Sequence, residues 1–488
     1  MTLLEIYQYI AYEIIWNPFL PFLLFGAGII AGIFHKFIQF RMFSYNWKEL
    51  LGRRGTTGLG IISRLSAFFT TIGCVVGLGN IAGVSSAMAS GGPGAIFWMW
   101  LAALTGMGLK PAECTLAAYT RMVLPDGRTY GGPTWYMEYL EKVYRIPKKI
   151  IYILVGTFVI SFLISVLFPT YAYTILEMTQ ATFPFLTPEQ VIAFEVIITA
   201  IAAFIWYFEI RGVAAFCSAA VPFMLILYVI MGSAVLVNYA SNIPQGISDI
   251  FYYAFNPAPA IVGGFAGASV FHTVRVGVAR AVYSNEAGWG TSPHYYATAK
   301  GLRHPGDVLP PSSLDVFIDT IVICTFTGLI IASSGEWKTG IGGFTAVLTA
   351  FKRVWGEFAV YPLFFTTFLF MYTTYISGPV STVSQLRYLT LYKAKWPIPR
   401  VDKFVKAYML IIYYWPSVAL ASYFFLSGYT PAEVWVTADL MTGLALYPNL
   451  ISVILLAPAA GKLLKEYESK AKKGELKEEM AAEPWRTM

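Results

Sequence analysis

Long apolar runs, separated by short stretches that carry most of the charge, recur eleven times along this chain. They lie near residues 18–38, 63–90, 94–119, 149–176, 190–208, 213–240, 261–283, 314–334, 358–382, 404–426 and 434–460. A helix rises about 1.5 Å per residue, so runs of this length cross about 30 Å of hydrocarbon. The pattern predicts an all-α polytopic membrane protein with about eleven transmembrane helices. Between the runs, "GGPTWYMEYLEKVY" (131–144), "GISDIFYYAF" (246–255) and "FTAVLTAFKRVWG" (344–356) are shorter and amphipathic. They predict helices that lie in the interface or in loops.

The second run breaks its own pattern. Its middle reads "GCVVGLGNIAGV" (73–84), in which four of twelve residues are glycine, the poorest ordinary helix former. The seventh segment, "IVGGFAGASVFHTVRVGVARAVYSNEAGWG" (261–290), gathers Gly263, Gly264 and Gly267 in its first third. Glycines in membrane helices also serve close packing, and "GNIAG" (79–83) fits the small-xxx-small spacing. Two clusters at matching positions of two halves point instead to interrupted helices around a ligand. Unwound backbone at membrane depth is tolerated only where it packs in protein or lines a cavity. The expected organisation is an N-terminal helix with a basic loop (1–60), two five-helix sets of opposite orientation (61–242 and 243–460), and a charged tail (461–488).

Composition agrees: 57% of residues are hydrophobic and 12% charged, against roughly 25% charged in soluble proteins. The net charge of +7 does not imply nucleic acid, because its placement follows the spans. Of 34 Lys and Arg residues, 31 fall on one set of connections, leaving Lys338, Lys352 and Arg353 on the other. The positive-inside rule then puts the N-terminus outside and the C-terminus in the cytoplasm. Cys74, Cys114, Cys217 and Cys324 all sit in apolar segments without metal-like spacing, so neither a disulfide nor a metal site is expected. The acidic start (Glu5, Glu13) does not read as a cleavable signal peptide.

No H-E-x-x-H pair, P-loop or G-x-S-x-G elbow is present, which argues against an enzyme and implies no cofactor. "GLGNIAG" has no strand before it and its third glycine comes one residue late, so it is not a dinucleotide loop. No obligate protein partner is evident. Ionisable residues within spans, Glu113, Glu195, His272, Arg275, Asp315 and Asp319, are expensive in lipid and are functional candidates by default. Asp315, Asp319 and Arg275 are expected near cytoplasmic ends, as gate ion pairs or interfacial charges. His272 is expected to be a packing residue.

Residues 91–108, "GGPGAIFWMWLAALTGMG", closely resemble the signature of the alanine or glycine:cation symporter family. "GNIAGV", "GGPTWYMEYL", "SNEAGWG" (284–290) and "FIDTIVICT" (317–325) are similar to family blocks in the family's order, so the likeness covers roughly residues 60–335. It implies a LeuT-type 5+5 inverted repeat in the cell membrane and sodium-coupled symport of a small neutral amino acid by alternating access. Proton coupling is the alternative within transport, and an ion channel the alternative outside it. Departures are "GLGN" for the family's "GTGN", "SNEAGWGTSP" for "SNEAGLGSAP", and Met371 where the family has tryptophan after a Ser/Thr pair.

On that resemblance the freed amides of Gly77, Leu78 and Gly79 suit a substrate carboxylate, at the positive end of the outer half-helix. Carbonyls around Gly263 to Gly267 would take the ammonium, with Phe265 and Met371 as walls. Met371 is narrower and more flexible than tryptophan, which predicts room for side chains larger than methyl. Sodium would bind the carbonyls of Gly73 and Val76 together with Leu363, Thr366 and Thr367, whose i, i+3, i+4 spacing puts them on one helix face. Asn80 is expected either as a ligand of a second ion or as a helix cap.

Overall fold

The computed structural model describes residues 3–16, 19–52, 57–256 and 270–476. Nearly all of this is helix. Among the described residues, eight helices are long and apolar enough to cross a membrane. The number is nine if Arg64–Val75 and Gly79–Gly91, bent by 48° at a break, count as one span. Helices Ala95–Tyr119 and Val270–Asn285 occupy the third and seventh expected positions without belonging to that group.

The amphipathic stretches form the expected short helices, Pro133–Tyr144, Ile243–Tyr253 and Gly343–Trp355. The first starts on proline, whose missing N–H costs nothing at that position. It buries Trp135, Tyr136, Met137 and Leu140 on one face. The third rests on the second half of the broken span, where Ser85 Oγ donates to the carbonyl of Gly343 at 2.5 Å.

Ala95–Tyr119 runs through the centre, packed against Phe19–Phe34, Val270–Asn285 and Leu309–Val316. Its start explains "GGPG". A Cβ on Gly94 would lie 2.2 Å from the carbonyl carbon and oxygen of Tyr253, so the two backbones touch. Trp98 Nε1 then donates to the carbonyl of Ala254 at 3.0 Å and locks this junction.

The seventh segment is described only from Val270 onward. Gly263, Phe265 and Gly267 lie outside the described residues, and the interruption that the structure shows comes later. Val270–Asn285 ends, the chain turns through Glu286 (φ 58°), Gly288 (φ 87°) and Gly290 (φ 86°), and helix resumes at Ser292–Tyr296. Left-handed backbone of this kind favours glycine, which is what "EAGWG" supplies.

This moves several charges. Arg275 precedes the break and pairs with Glu13 at 2.9 Å, so it lies beside the N-terminal segment. His272 Nδ1 packs 3.1 Å from the same guanidinium. Asp315 and Asp319 are both fully buried in the protein. On the face that gathers most of the basic residues, Arg64 and Arg303 share Glu49 and Asp307, with Arg303–Asp307 at 2.6 Å and Arg64–Glu49 at 3.1 Å. Arg387 and Arg128 share Asp402 at 2.6 and 2.9 Å.

The Gly94 junction sets a first expectation. Gly94→Ala should destabilise the protein by about 1–3 kcal/mol through overpacking, seen as a lowered thermal midpoint in detergent. Gly26→Ala, with nothing within 4 Å of the added carbon, should leave the midpoint unchanged.

Candidate functional site

The first half-helix stops at Val75, and Val76 is extended (ψ 91°). A helix end leaves its last carbonyls without intrahelical donors. Here one side chain decides where they turn. The N–H of Gly77, which helix continuation would deliver to the carbonyl of Gly73, is donated instead to Asn80 Oδ1 at 2.9 Å. Thr374 Oγ1 then lies 3.3 Å from the carbonyl oxygen of Gly73, 3.0 Å from that of Cys74 and 3.1 Å from that of Phe370. A hydroxyl has one proton to give. Three carbonyl oxygens therefore converge on one hydroxyl, an arrangement rich in acceptors.

Asn80 faces the other way with its amide nitrogen, which donates to Asp319 Oδ1 at 2.6 Å and to Ser284 Oγ at 2.9 Å. Asp319 Oδ2 accepts from Ser284 Oγ at 2.6 Å and from Thr320 Oγ1 at 2.7 Å. Ser284 belongs to the last turn before the second break, so one carboxylate joins both interruptions.

The second turn is held from behind. Lys110, fully buried, donates from Nζ to the carbonyl of Asn285 at 2.7 Å and pairs with Asp315 at 3.1 Å. An ammonium at the carbonyl end of a helix offsets that end's partial negative charge. Asn449 Nδ2 donates to the carbonyl of Gly288 at 2.8 Å and accepts at Oδ1 from the Tyr136 hydroxyl. Glu113 is buried in this same layer. On the front side, the Glu286 carboxylate accepts from the Thr291 hydroxyl and lies 3.6 Å from Cys74 Sγ, across from the first break.

Between the two breaks opens a cavity of about 930 Å³. Gly77, Leu78, Gly79, Glu286, Trp289, Met371 and Thr374 line its inner end, and it runs past Arg280 and Asp439 to the loop at 339–345. Four of the sequence-predicted residues, Gly77, Leu78, Gly79 and Met371, are thus brought to one wall. Gly73, Val76 and Asn80 are buried immediately beside them.

Leu363, Thr366 and Thr367 are not brought there. Thr366 Oγ1 donates to its own helix at the carbonyl of Pro362, 2.8 Å away, and none of the three lines the cavity. The residues of this helix that face the first break, at Gly73 and Gly77, are Phe370, Thr373 and Thr374, two helical turns further on, with the same i, i+3, i+4 spacing. The chain repeats its threonine pair at an interval of seven residues, so both pairs share a face and spacing alone does not choose between them. Glu195 is buried elsewhere, beside Thr199 Oγ1, which is also 3.1 Å from the Tyr375 hydroxyl. Sequence reasoning did not pick out Lys110, Glu286 or Asp439. A charged residue inside the "SNEAGWG" block was the signal available for Glu286.

Comparison with known proteins bears on the chain as a whole. The model of the sodium:alanine symporter family matches residues 1–482. An uncharacterized transporter of Haemophilus influenzae is 32% identical over 460 residues, covering 94% of this chain and 95% of the relative. The sodium/alanine symporter AgcS of Methanococcus maripaludis is 30% identical over 456 residues, covering 91% and 92%. Among solved structures, MhsT in complex with L-phenylalanine superposes with a TM-score of 0.54 at 14% identity, over 84% of this chain and 99% of that one. That likeness shows the fold, which is LeuT-type.

If Asn80 and Asp319 act as one unit, their substitutions will not add. Asn80→Ala and Asp319→Asn should each cost roughly 1.5–3 kcal/mol, the range for hydrogen bonds to charged groups. The double variant should fall short of the sum by on the order of 1 kcal/mol or more. Unfolding of all four proteins in one detergent measures this, and strict additivity would separate the two residues.

Proposed function

The chain belongs to the sodium:alanine symporter family, and on that premise we propose that it takes up a small neutral amino acid by sodium-coupled symport. A member of this family is a secondary transporter embedded in the membrane by several helices, not an enzyme. The substrate in this reading is alanine- or glycine-like, or somewhat larger, and alternating access carries it across the cell membrane. We read eleven spans with the N-terminus outside and two inverted five-helix sets. Moving Arg275 and Arg280 to the outer side still leaves 29 of the 34 basic residues inside.

The observation that carries the reading is the pairing of a half-helix start with a group of freed carbonyls on either side of one glycine turn. The start of Gly79–Gly91 offers N–H groups and the positive end of a helix dipole to a carboxylate. Since the N–H of Gly77 is already taken by Asn80, the donors in this proposal are Leu78 and Gly79. The substrate ammonium goes to the Glu286 carboxylate in the second turn, and Met371 and Leu78 wall the side chain. Sodium sits among the carbonyls of Gly73 and Val76 and the hydroxyl of Thr374, displacing the hydrogen bonds that Thr374 makes there. A second ion would be held by Asp319, Ser284 and Asn80 if the Asn80 amide turned over to present its oxygen. As the cluster stands, the Asn80 amide nitrogen occupies the position a cation would take. The protein needs no other cofactor in this scheme.

Proton coupling is the second reading, favoured by the two buried carboxylates Asp319 and Glu286, either of which could carry the proton. Uptake of labelled amino acids into proteoliposomes, under sodium and proton gradients imposed separately, decides between them. A sodium gradient alone should drive accumulation; accumulation under the proton gradient alone would replace sodium with the second reading.

The ion site predicts a contrast. Thr374→Val keeps the side-chain shape and removes the oxygen that faces Gly73, so the sodium concentration for half-maximal uptake should rise several-fold. Thr366→Val and Thr367→Val should leave it unchanged. The pocket wall predicts another. Competition against labelled alanine should show that the native protein accepts serine, threonine or valine, whereas Met371→Trp narrows it towards glycine and alanine. Each excluded methylene should change discrimination by about 1–3 kcal/mol.

A further inference from the structure

Trp289 belongs to the second turn, which the transport reading uses only through Glu286. It lines the cavity while only 5% exposed, so its ring is part of the packed wall. The backbone fixes where that ring stands. The N–H of Glu286 donates to the carbonyl of Val282 at 2.8 Å, and the N–H of Trp289 to the carbonyl of Glu286 at 3.1 Å. Behind the turn there is no room to retreat. A Cβ on Gly288 would lie 2.8 Å from Leu450 Cδ2, and one on Gly290 2.5 Å from Pro133 Cγ. The indole is packed against Tyr283 (centroids 6.1 Å apart, planes at 67°) and Phe162 (6.3 Å, 52°). A tryptophan turns about only two side-chain torsions, and such packing restrains both.

The other wall is of a different kind. Met371 lines the cavity from the helix Val360–Ser377. Its side chain is unbranched and flexible, and repacks readily around a neighbour. The two walls are tied to each other. The Tyr295 hydroxyl, just past the second turn, donates to the carbonyl of Ser377 at 3.0 Å. Both also touch the first break, through Thr374 at Gly73 and Cys74 and through Glu286 at Cys74. The inner end of the cavity thus lies between a fixed ring and a yielding chain. Both positions depart from the family pattern as well, with tryptophan for leucine at 289 and methionine for tryptophan at 371. Bulk is lost at one position and gained at the other.

We propose that Trp289 is a specificity-determining residue: its ring takes up space that Met371 leaves, and sets the upper size of the side chain that the pocket admits. A bulky side chain can push Met371 aside, but it meets a ring that close packing does not let move. The inference rests on the reading of this cavity as a site for a neutral amino acid.

The test measures binding rather than uptake, so it does not depend on the coupling ion moving. Glycine, alanine, valine, leucine and phenylalanine are added separately in sodium, and the rise in thermal midpoint of the purified protein is followed against concentration. The native protein should respond up to valine and not to leucine or phenylalanine. Trp289→Leu should respond to those two as well, and more weakly to alanine, which loses contact with the wall. Compensation gives a sharper contrast. Met371→Trp should lose valine relative to alanine by roughly tenfold or more, and adding Trp289→Leu should bring valine back. Should Trp289→Leu fold poorly, Trp289→Phe keeps a ring against Tyr283 and Phe162 and should still admit leucine. An unchanged range in the Trp289 variants overturns the proposal, as does a double variant that stays as narrow as Met371→Trp. Either result leaves the transport reading standing, because the native protein still binds. A native protein that none of the five amino acids stabilises overturns that reading and the proposal with it.

Discussion

Much of the site turns on the destination of one proton, the N–H of Gly77. Given to Gly73, it would continue a helix and close off the carbonyl there. Given to Asn80, it leaves that carbonyl facing Thr374 and commits the Asn80 amide nitrogen to Asp319 and Ser284. In hydrocarbon no water stands ready to repair such a change, and each unsatisfied backbone group costs several kcal/mol. An unwound turn at this depth is therefore possible only with a side chain that replaces what the helix lost. Asn80 does this at both ends of its amide, and the fold can then expose carbonyls to a cavity without leaving a donor stranded.

The two interruptions meet that requirement differently. The first is a loss of helix satisfied by a neutral amide. The second is a sharp turn with three left-handed residues, and its support is charged, with Lys110 on the carbonyl of Asn285 and Asp315 on Lys110. Burying an ion pair is expensive unless each partner is also hydrogen-bonded, and Asp315 has the Tyr296 hydroxyl as well at 2.8 Å. One side of the cavity is thus clasped by a neutral amide and the other by a charged pair.

What could be read in the sequence follows from what each feature depends on. The membrane class, most span positions, the three amphipathic helices and the first break depend on local hydropathy and glycine content, and these are visible in a single chain. The second break depends on left-handed backbone at Glu286, Gly288 and Gly290. Two glycines separated by one residue look weaker than the cluster at Gly263, Gly264 and Gly267, so this turn did not stand out. The choice between Thr366–Thr367 and Thr373–Thr374 depends on how far one helix slides along another, which helical periodicity does not specify. Lys110 with Asp315 and Arg275 with Glu13 depend on the packing of segments far apart in the chain. A charge in an apolar run announces that it needs a partner without saying which.

The short helix Gly343–Trp355 shares in this economy. Its first residues sit directly on the half-helix Gly79–Gly91, with Ser85 Oγ bonded to Gly343 and the backbone of Gly342 so close to Ser86 that a Cβ would lie 2.7 Å from its Cα. Contact that close leaves no slack. The half-helix cannot tilt without carrying the loop along, and the loop cannot lift without pulling on the half-helix. The two are geared, so a change at the loop is felt at the half-helix that begins beside the glycine turn.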